Sequence, residues 1–197
     1  YSSVKTIGCT RYTYTKEFAQ ARDYIKREME QAGLEVREDA VGTVIGRLEG
    51  TNPELPIIMT GSHFDTVKTG GRYDGAAGVV AALEVARTMH DEGFRPKRRI
   101  EFVALPEEEG GRFGSGLMAS RAMCGKLYPD ELEHRDENGV TLAEALKEYG
   151  LDPNAIETAQ RKPEEIGVFL ELHIEQGPIL EKEDVKVGIV ESIVGFR

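Results

Sequence analysis

Four short polar clusters carry residue types that can hold a divalent cation: Gly61-Ser62-His63-Phe64-Asp65-Thr66, Gly70-Gly71-Arg72-Tyr73-Asp74-Gly75, Glu107-Glu108-Glu109-Gly110-Gly111 and His173-Ile174-Glu175-Gln176-Gly177. In an extended segment residues two apart point the same way, so His63 and Asp65 can share a face. A carboxylate there can take the proton of one imidazole nitrogen and leave the other aimed at a metal. A His-Asp pair is as often a purely structural hydrogen bond. Asp74 reads either as an ordinary helix cap or as a carboxylate with one oxygen for each of two ions, and glycines around it permit close approach of the backbone.

Three successive glutamates are usually a solvated surface run. After a strand and before a glycine pair, Glu108 and Glu109 can instead divide the work, one binding metal and the other taking a proton from water. A lone histidine such as His173 is more often structural than a ligand. Yet of the four histidines, His63 and His173 both end predicted strands beside acids, whereas His90 and His134 have no such setting and read as surface residues. Imidazole and carboxylate without thiolate suit zinc, manganese, cobalt or nickel better than a structural cysteine zinc site. Two such ions about 3.5 to 4 Å apart can activate water and polarise a carbonyl, which is a means of hydrolysing an amide or related bond.

The elements that must position these clusters alternate between strand and helix. Phe18, Ala21, Ile25, Met29 and Ala32 fall at helical spacing, with Thr15 placed to cap the helix and Gly33 to end it. Short strands are predicted at 34–36 and 43–48. The apolar run from Pro56 to Thr60 has the pattern of a strand buried on both faces, and it leads into His63. A helix follows Gly75 and stops near Gly93, then a second buried strand at 100–105 meets the acid trio. Helices are predicted at 117–123 and 142–149 and another after Pro153, a third strand at 168–172 before His173, and a last strand at 186–194. Ligands of open α/β sheets bind outside the carboxyl ends of the strands, and three of the clusters lie there. The expected fold is therefore one α/β layered domain, without internal repeats.

Composition narrows the partners. With 197 residues and 40% hydrophobic content, the chain can bury a substantial core. Its formal charge of -10 disfavours nucleic acid or an anionic membrane as the main partner. No segment has the apolar length of a membrane span, and the N-terminus lacks the pattern of a signal peptide. Cys9 and Cys124 make no metal or redox spacing, so they are expected to be small buried or half-buried residues of a cytoplasmic protein.

Taken together and in this order, the four motifs, with Arg112-Phe113 and Gln31-Ala32-Gly33-Leu34-Glu35-Val36, resemble the N-carbamoyl-L-amino-acid hydrolases and allantoate amidohydrolases. That group lies within the dinuclear zinc metallopeptidase superfamily. The resemblance implies a three-layer αβα sandwich around a mixed, largely parallel sheet. It also implies two divalent ions per site (Zn, Mn, Co or Ni). His63, Asp74 and His173 would hold the first ion, with Asp74 bridging to a second that Glu109 also binds. Glu108 would be the general base, Asp65 the residue orienting His63, and Gln176 a contact for the polar end of a carbamoyl or ureido substrate. A histidine at position 173 favours this branch over the dinuclear aminoacylases and dipeptidases, where a carboxylate is usual. Members of the group are roughly twice as long, with an inserted lid that makes a homodimer and a late metal-binding histidine. Residues 1–197 therefore read as the N-terminal segment of the catalytic domain, incomplete at its C-terminal side and expected to show little turnover alone. The remaining alternative is a non-catalytic metal-binding module.

Overall fold

Helix α1 (Lys16–Gln31) begins where Thr15 accepts the Phe18 N–H, and it buries Phe18, Ala21, Ile25 and Met29 on one face. Gly33, at φ 75°, turns the chain out of the helix toward the sheet. The computed structural model describes residues 1–5 and 7–193. Strands β1 (Glu35–Glu38), β2 (Val44–Leu48) and β3 (Ile57–His63) follow. Helix α2 (Ala76–Asp91) then crosses over to β4 (Ile100–Leu105), which pairs parallel to β3 from Ile58↔Ile100 to His63↔Leu105. Helices α3 (Met118–Met123) and α4 (Leu142–Tyr149) and 3-10 turns at Pro129–Glu133, Pro153–Ala159 and Pro163–Glu165 precede β5 (Ile166–Leu170) and the short α5 (Ile179–Lys182).

The sheet order is β1-β2-β4-β3-β5. Pairings of β1 with β2 and of β2 with β4 are antiparallel, whereas β3 pairs parallel with both β4 and β5. Alternating side chains of the central strands feed two cores. On one face Phe102, Ala104 and Val44 meet Phe18, Met29, Val79 and Leu83 from α1 and α2. On the other, Val103, Leu105 and Ile45 meet Met118, Ala122, Leu142 and Leu146 from α3 and α4. This is the expected αβα sandwich around a mixed sheet.

Several local expectations change. β3 runs three residues past the apolar run and ends on His63, so the imidazole is carried by the strand, while the strand's start moves to Ile57. β5 lies two residues earlier than predicted and forms the edge of the sheet, leaving Val168, Phe169 and Leu170 exposed. Among the described residues no strand pairs with its outer side. The predicted strand at 186–194 does not form over 186–193; Val187, Ile189 and Val190 have strand propensity but no partner strand among the described residues. Position 194, and all but Ile193 of the 193–197 segment, lie outside the described residues. Cys9 is buried and Cys124 exposed, and both are free. Among the described residues no helix is long and apolar enough to cross a membrane.

One close approach fixes the strand that carries the site. Gly61 pairs with Val103, and a Cβ built on it would stand 1.9 Å from the Val103 carbonyl oxygen. Its φ of 151° adds strain for any other residue. Gly61→Ala is expected to lower stability by roughly 3 kcal/mol or more, read by urea unfolding. A loss below about 1 kcal/mol would show that β3 relaxes without cost.

Candidate metal centre

The carboxyl ends of β3, β4 and β5 bring the predicted residues together. His63 closes β3, Glu108 and Glu109 follow β4, His173 follows β5, and Asp74 sits just before α2. With Leu117 and Gln176 they line one cleft of about 280 Å³. His90 and His134 are exposed and remote from it, as expected.

Nε2 of His63 lies 3.4 Å from Nε2 of His173. Oδ1 of Asp74 is 3.5 Å from the first and 3.1 Å from the second. Both rings turn Nδ1 toward backbone oxygens, His63 to Asp65 at 3.2 Å and His173 to Ile174 at 2.9 Å. With the ring protons assigned to those bonds, two nitrogen lone pairs and a carboxylate oxygen converge on one point. Asp74 Oδ1 is buried there without a hydrogen-bond partner. Three acceptors facing one another repel unless a cation sits among them. Tetrahedral coordination at 2.0 to 2.1 Å sets ligand edges of about 3.3 to 3.4 Å, which matches this triangle. The residues present therefore fit a divalent ion, and the helix-cap reading of Asp74 gives way, because Gly75 occupies the cap position of α2.

Glu108 and Glu109 stand beside His63 and form a second group able to hold an ion. Glu108 Oε2 is 3.7 Å from His63 Nε2. Burial raises the Glu108 carboxyl, as do Asp65 and Glu109, with His63 opposing. Burial and Asp74 raise Glu109 in the same way. For His63 burial acts downward, but the Asp65 side chain and carbonyl and the Glu108 carboxylate outweigh it and raise the imidazole to about 9.

Asp65 works differently from the simple pair read in the sequence. Its backbone carbonyl is nearer His63 Nδ1 than its carboxylate, which lies at 3.6 Å. The carboxylate instead accepts the N–H groups of Glu108 at 3.1 Å and Glu109 at 3.2 Å. Gln176, in a left-handed conformation, donates its amide to Asp74 Oδ2 at 3.1 Å. The glycines also serve otherwise than expected. A Cβ on Gly75 would lie 2.5 Å from the His63 ring, and one on Gly78 would lie 2.1 Å from the Leu172 carbonyl. The room they leave is filled by the imidazole and by the segment carrying His173, not by an ion. Ser62, bonded to Glu171 at 2.5 Å, joins the ends of β3 and β5 just before the two histidines. None of these contacts has a signal in residue type, though the glycine-rich stretch Gly75 to Gly78 marks a tight approach.

The layered α/β fold thus gathers histidines and carboxylates at parallel strand ends, a donor set that could hold a divalent ion. Residues 59–194 match the model of peptidase family M20/M25/M40, and the chain belongs to that family. It is 51% identical to the N-carbamoyl-L-amino-acid amidohydrolase of Paenarthrobacter aurescens over 96% of this chain and 46% of that protein. It is 46% identical to the allantoate amidohydrolase of Bacillus subtilis, again over 96% of this chain and 46% of the relative. The crystal structure of an amidase of the hydantoinase/carbamoylase family from Burkholderia multivorans superposes with a TM-score of 0.82 at 35% identity, covering 93% of this chain and 44% of that one. The resemblance read from the motifs thus stands, and the chain spans about half the length of the curated relatives it matches.

Two outcomes test the centre. A proton on His63 Nε2 must leave before a cation can bind, so affinity for cobalt(II) should climb as pH rises toward 9 and level off above it. By the same linkage the metal-free fold is stabilised by His63 fully below its ordinary value of 6.5, and that contribution is lost as pH rises through about 9. Gly75→Ala should displace the imidazole and weaken cobalt binding about 10- to 100-fold in calorimetric titration, whereas unchanged affinity would show the ring to be free to move.

Proposed function

We propose that the protein carrying this chain is a metal-dependent amidohydrolase that cleaves the linear C–N bond of a carbamoyl or ureido group, in an N-carbamoyl-L-amino acid or allantoate. The observation that carries this reading is the triangle of His63, His173 and Asp74 with the carboxylate of Glu108 facing it. The names of the similar proteins supply the substrate class.

In this reading His63, Asp74 and His173 would hold one divalent ion, and Glu109 with Asp74 would serve a second. Zinc, manganese, cobalt and nickel all suit the donor set. Such ions, when bound, polarise the scissile carbonyl and make water more acidic. Glu108 takes the proton of the attacking water and returns it to the leaving nitrogen. Its partly buried position keeps the carboxyl more basic than usual, which suits a base working near neutral pH. Asp65 fixes the direction of both His63 and the glutamate backbone. Gln176, beside Asp74 at the cleft, is placed to meet the polar end of the substrate. Addition of water to a carbamoyl amino acid releases the amino acid, carbon dioxide and ammonia.

We assign residues 1–197 to the N-terminal part of the catalytic domain. The length of the relatives supports this, as does the exposed apolar edge at β5, which a continuing sheet would cover. The lid, the dimer contact and a further ligand for the second ion belong to chain outside this stretch. Free Cys9 and Cys124 fit a reducing compartment such as the cytoplasm.

Full-length protein supplied with manganese should release ammonia from an N-carbamoyl-L-amino acid or from allantoate. Glu108→Gln should lower kcat about 10²- to 10⁴-fold while retaining metal. Cleavage of an ordinary dipeptide without ammonia release from either substrate class would replace this reading with a dipeptidase, and parent activity in Glu108→Gln would remove the proposed base.

A further inference from the structure

The three consecutive glutamates differ in burial. Glu108 and Glu109 are partly exposed in the cleft, whereas Glu107 is only 1% exposed and points into the protein. Its φ of 49° turns the chain sharply at the end of β4. In that turn its N–H donates to Thr13 Oγ1 at 3.1 Å and its carbonyl accepts the Met118 N–H at 3.0 Å.

The Glu107 carboxylate closes a loop made of the residues that follow it. Oε1 accepts the N–H of Phe113 at 2.9 Å and lies 3.4 Å from the N–H of Arg112. Arg112 is itself anchored, donating to the Thr13 carbonyl at 2.7 Å and to Asp136 at 3.0 Å. The Glu108 carbonyl accepts the Leu117 N–H at 2.7 Å. Glu108 and Glu109 are thus held at the crest of a loop whose base is tied by Glu107, while Asp65 takes their N–H groups from the other side. A buried carboxyl is costly unless hydrogen bonds compensate; Oε1 meets that need on the backbone that presents the two neighbouring acids, while Oε2 is buried without a partner.

We propose that Glu107 is a positioning residue: by accepting the Phe113 and Arg112 N–H groups it closes the 107–113 loop and aims Glu108 and Glu109 at His63. This deepens the functional reading above and rests on it for the roles of those two acids, though the loop closure itself can be measured without it. Glutamine keeps an oxygen for the Phe113 N–H, and alanine does not.

The test compares parent, Glu107→Gln and Glu107→Ala in the full-length protein, by amide hydrogen exchange over 106–117, calorimetric manganese binding and steady-state ammonia release. The alanine variant should exchange the 108–113 amides at least about tenfold faster. It should bind manganese about 10- to 100-fold more weakly and lose kcat by a similar factor, with KM within about twofold of parent. Glutamine should restore all of these to within about threefold of parent. Parent-like exchange and affinity in the alanine variant would overturn the proposal, as would a glutamine variant as impaired as alanine. If the alanine variant does not accumulate, Glu107→Asp decides, because the shorter side chain keeps the carboxyl but draws it back from the Phe113 N–H. Severalfold faster exchange and weaker manganese binding support the proposal, and parent values overturn it. Exchange that loosens with alanine and recovers with glutamine, in a protein that releases no ammonia, would leave the positioning intact and remove the proposed function.

Discussion

Lone pairs that repel one another must be held together at the centre of this molecule, and much of the fold serves that constraint. His63, His173 and Asp74 aim three acceptors at one point, and two further carboxylates stand beside them. Without a cation, the groups hold a proton more tightly than usual: contacts with Asp65 and Glu108 make His63 more basic, and burial raises Glu108 and Glu109. No such arrangement persists on mobile side chains. It persists because each residue is carried by the end of a strand, or by a loop tied to one, and because the strands are locked in parallel register.

That locking depends on what is missing from certain side chains. Gly61 lets β3 lie against the Val103 carbonyl, Gly75 gives the His63 ring its place, and Gly78 lets α2 approach the segment leading to His173. Hydrogen bonds then finish the placement. Asp65 receives two backbone N–H groups from the acid loop while its carbonyl faces His63, so one residue couples two parts of the site. Packing sets the distances between elements, and these polar contacts set the direction of the side chains within them.

The sequence shows the site more clearly than the frame around it. His63, Glu108, Glu109 and His173 stood out because ligand-type residues follow strand patterns there, and Asp74 because glycines flank it at the start of a helix. β4 and α4 matched their predicted limits because buried runs and capping residues are local signals. Glu107 was read with its neighbours as one acidic run, since charge in a sequence does not reveal which carboxylate turns inward. The strand expected at 186–194 failed for a related reason: propensity is local, but a strand needs a partner, and the described residues offer none there. The place of β5 beside β3 was likewise invisible, because an apolar run does not name its neighbour in the sheet.

β5 also brings in the last donor from a distant part of the chain. His63, Asp74, Glu108 and Glu109 lie within one βαβ unit, whose strands pair along their full length and are covered on both faces. His173 is separated from that unit by the whole polar stretch of α3, α4 and the 3-10 turns, and β5 joins the sheet along one side only. The centre thus draws its donors from two separate parts of the chain, one βαβ unit and the strand that returns to it after the intervening helices, so the packing of α3 and α4 bears on the site without touching it.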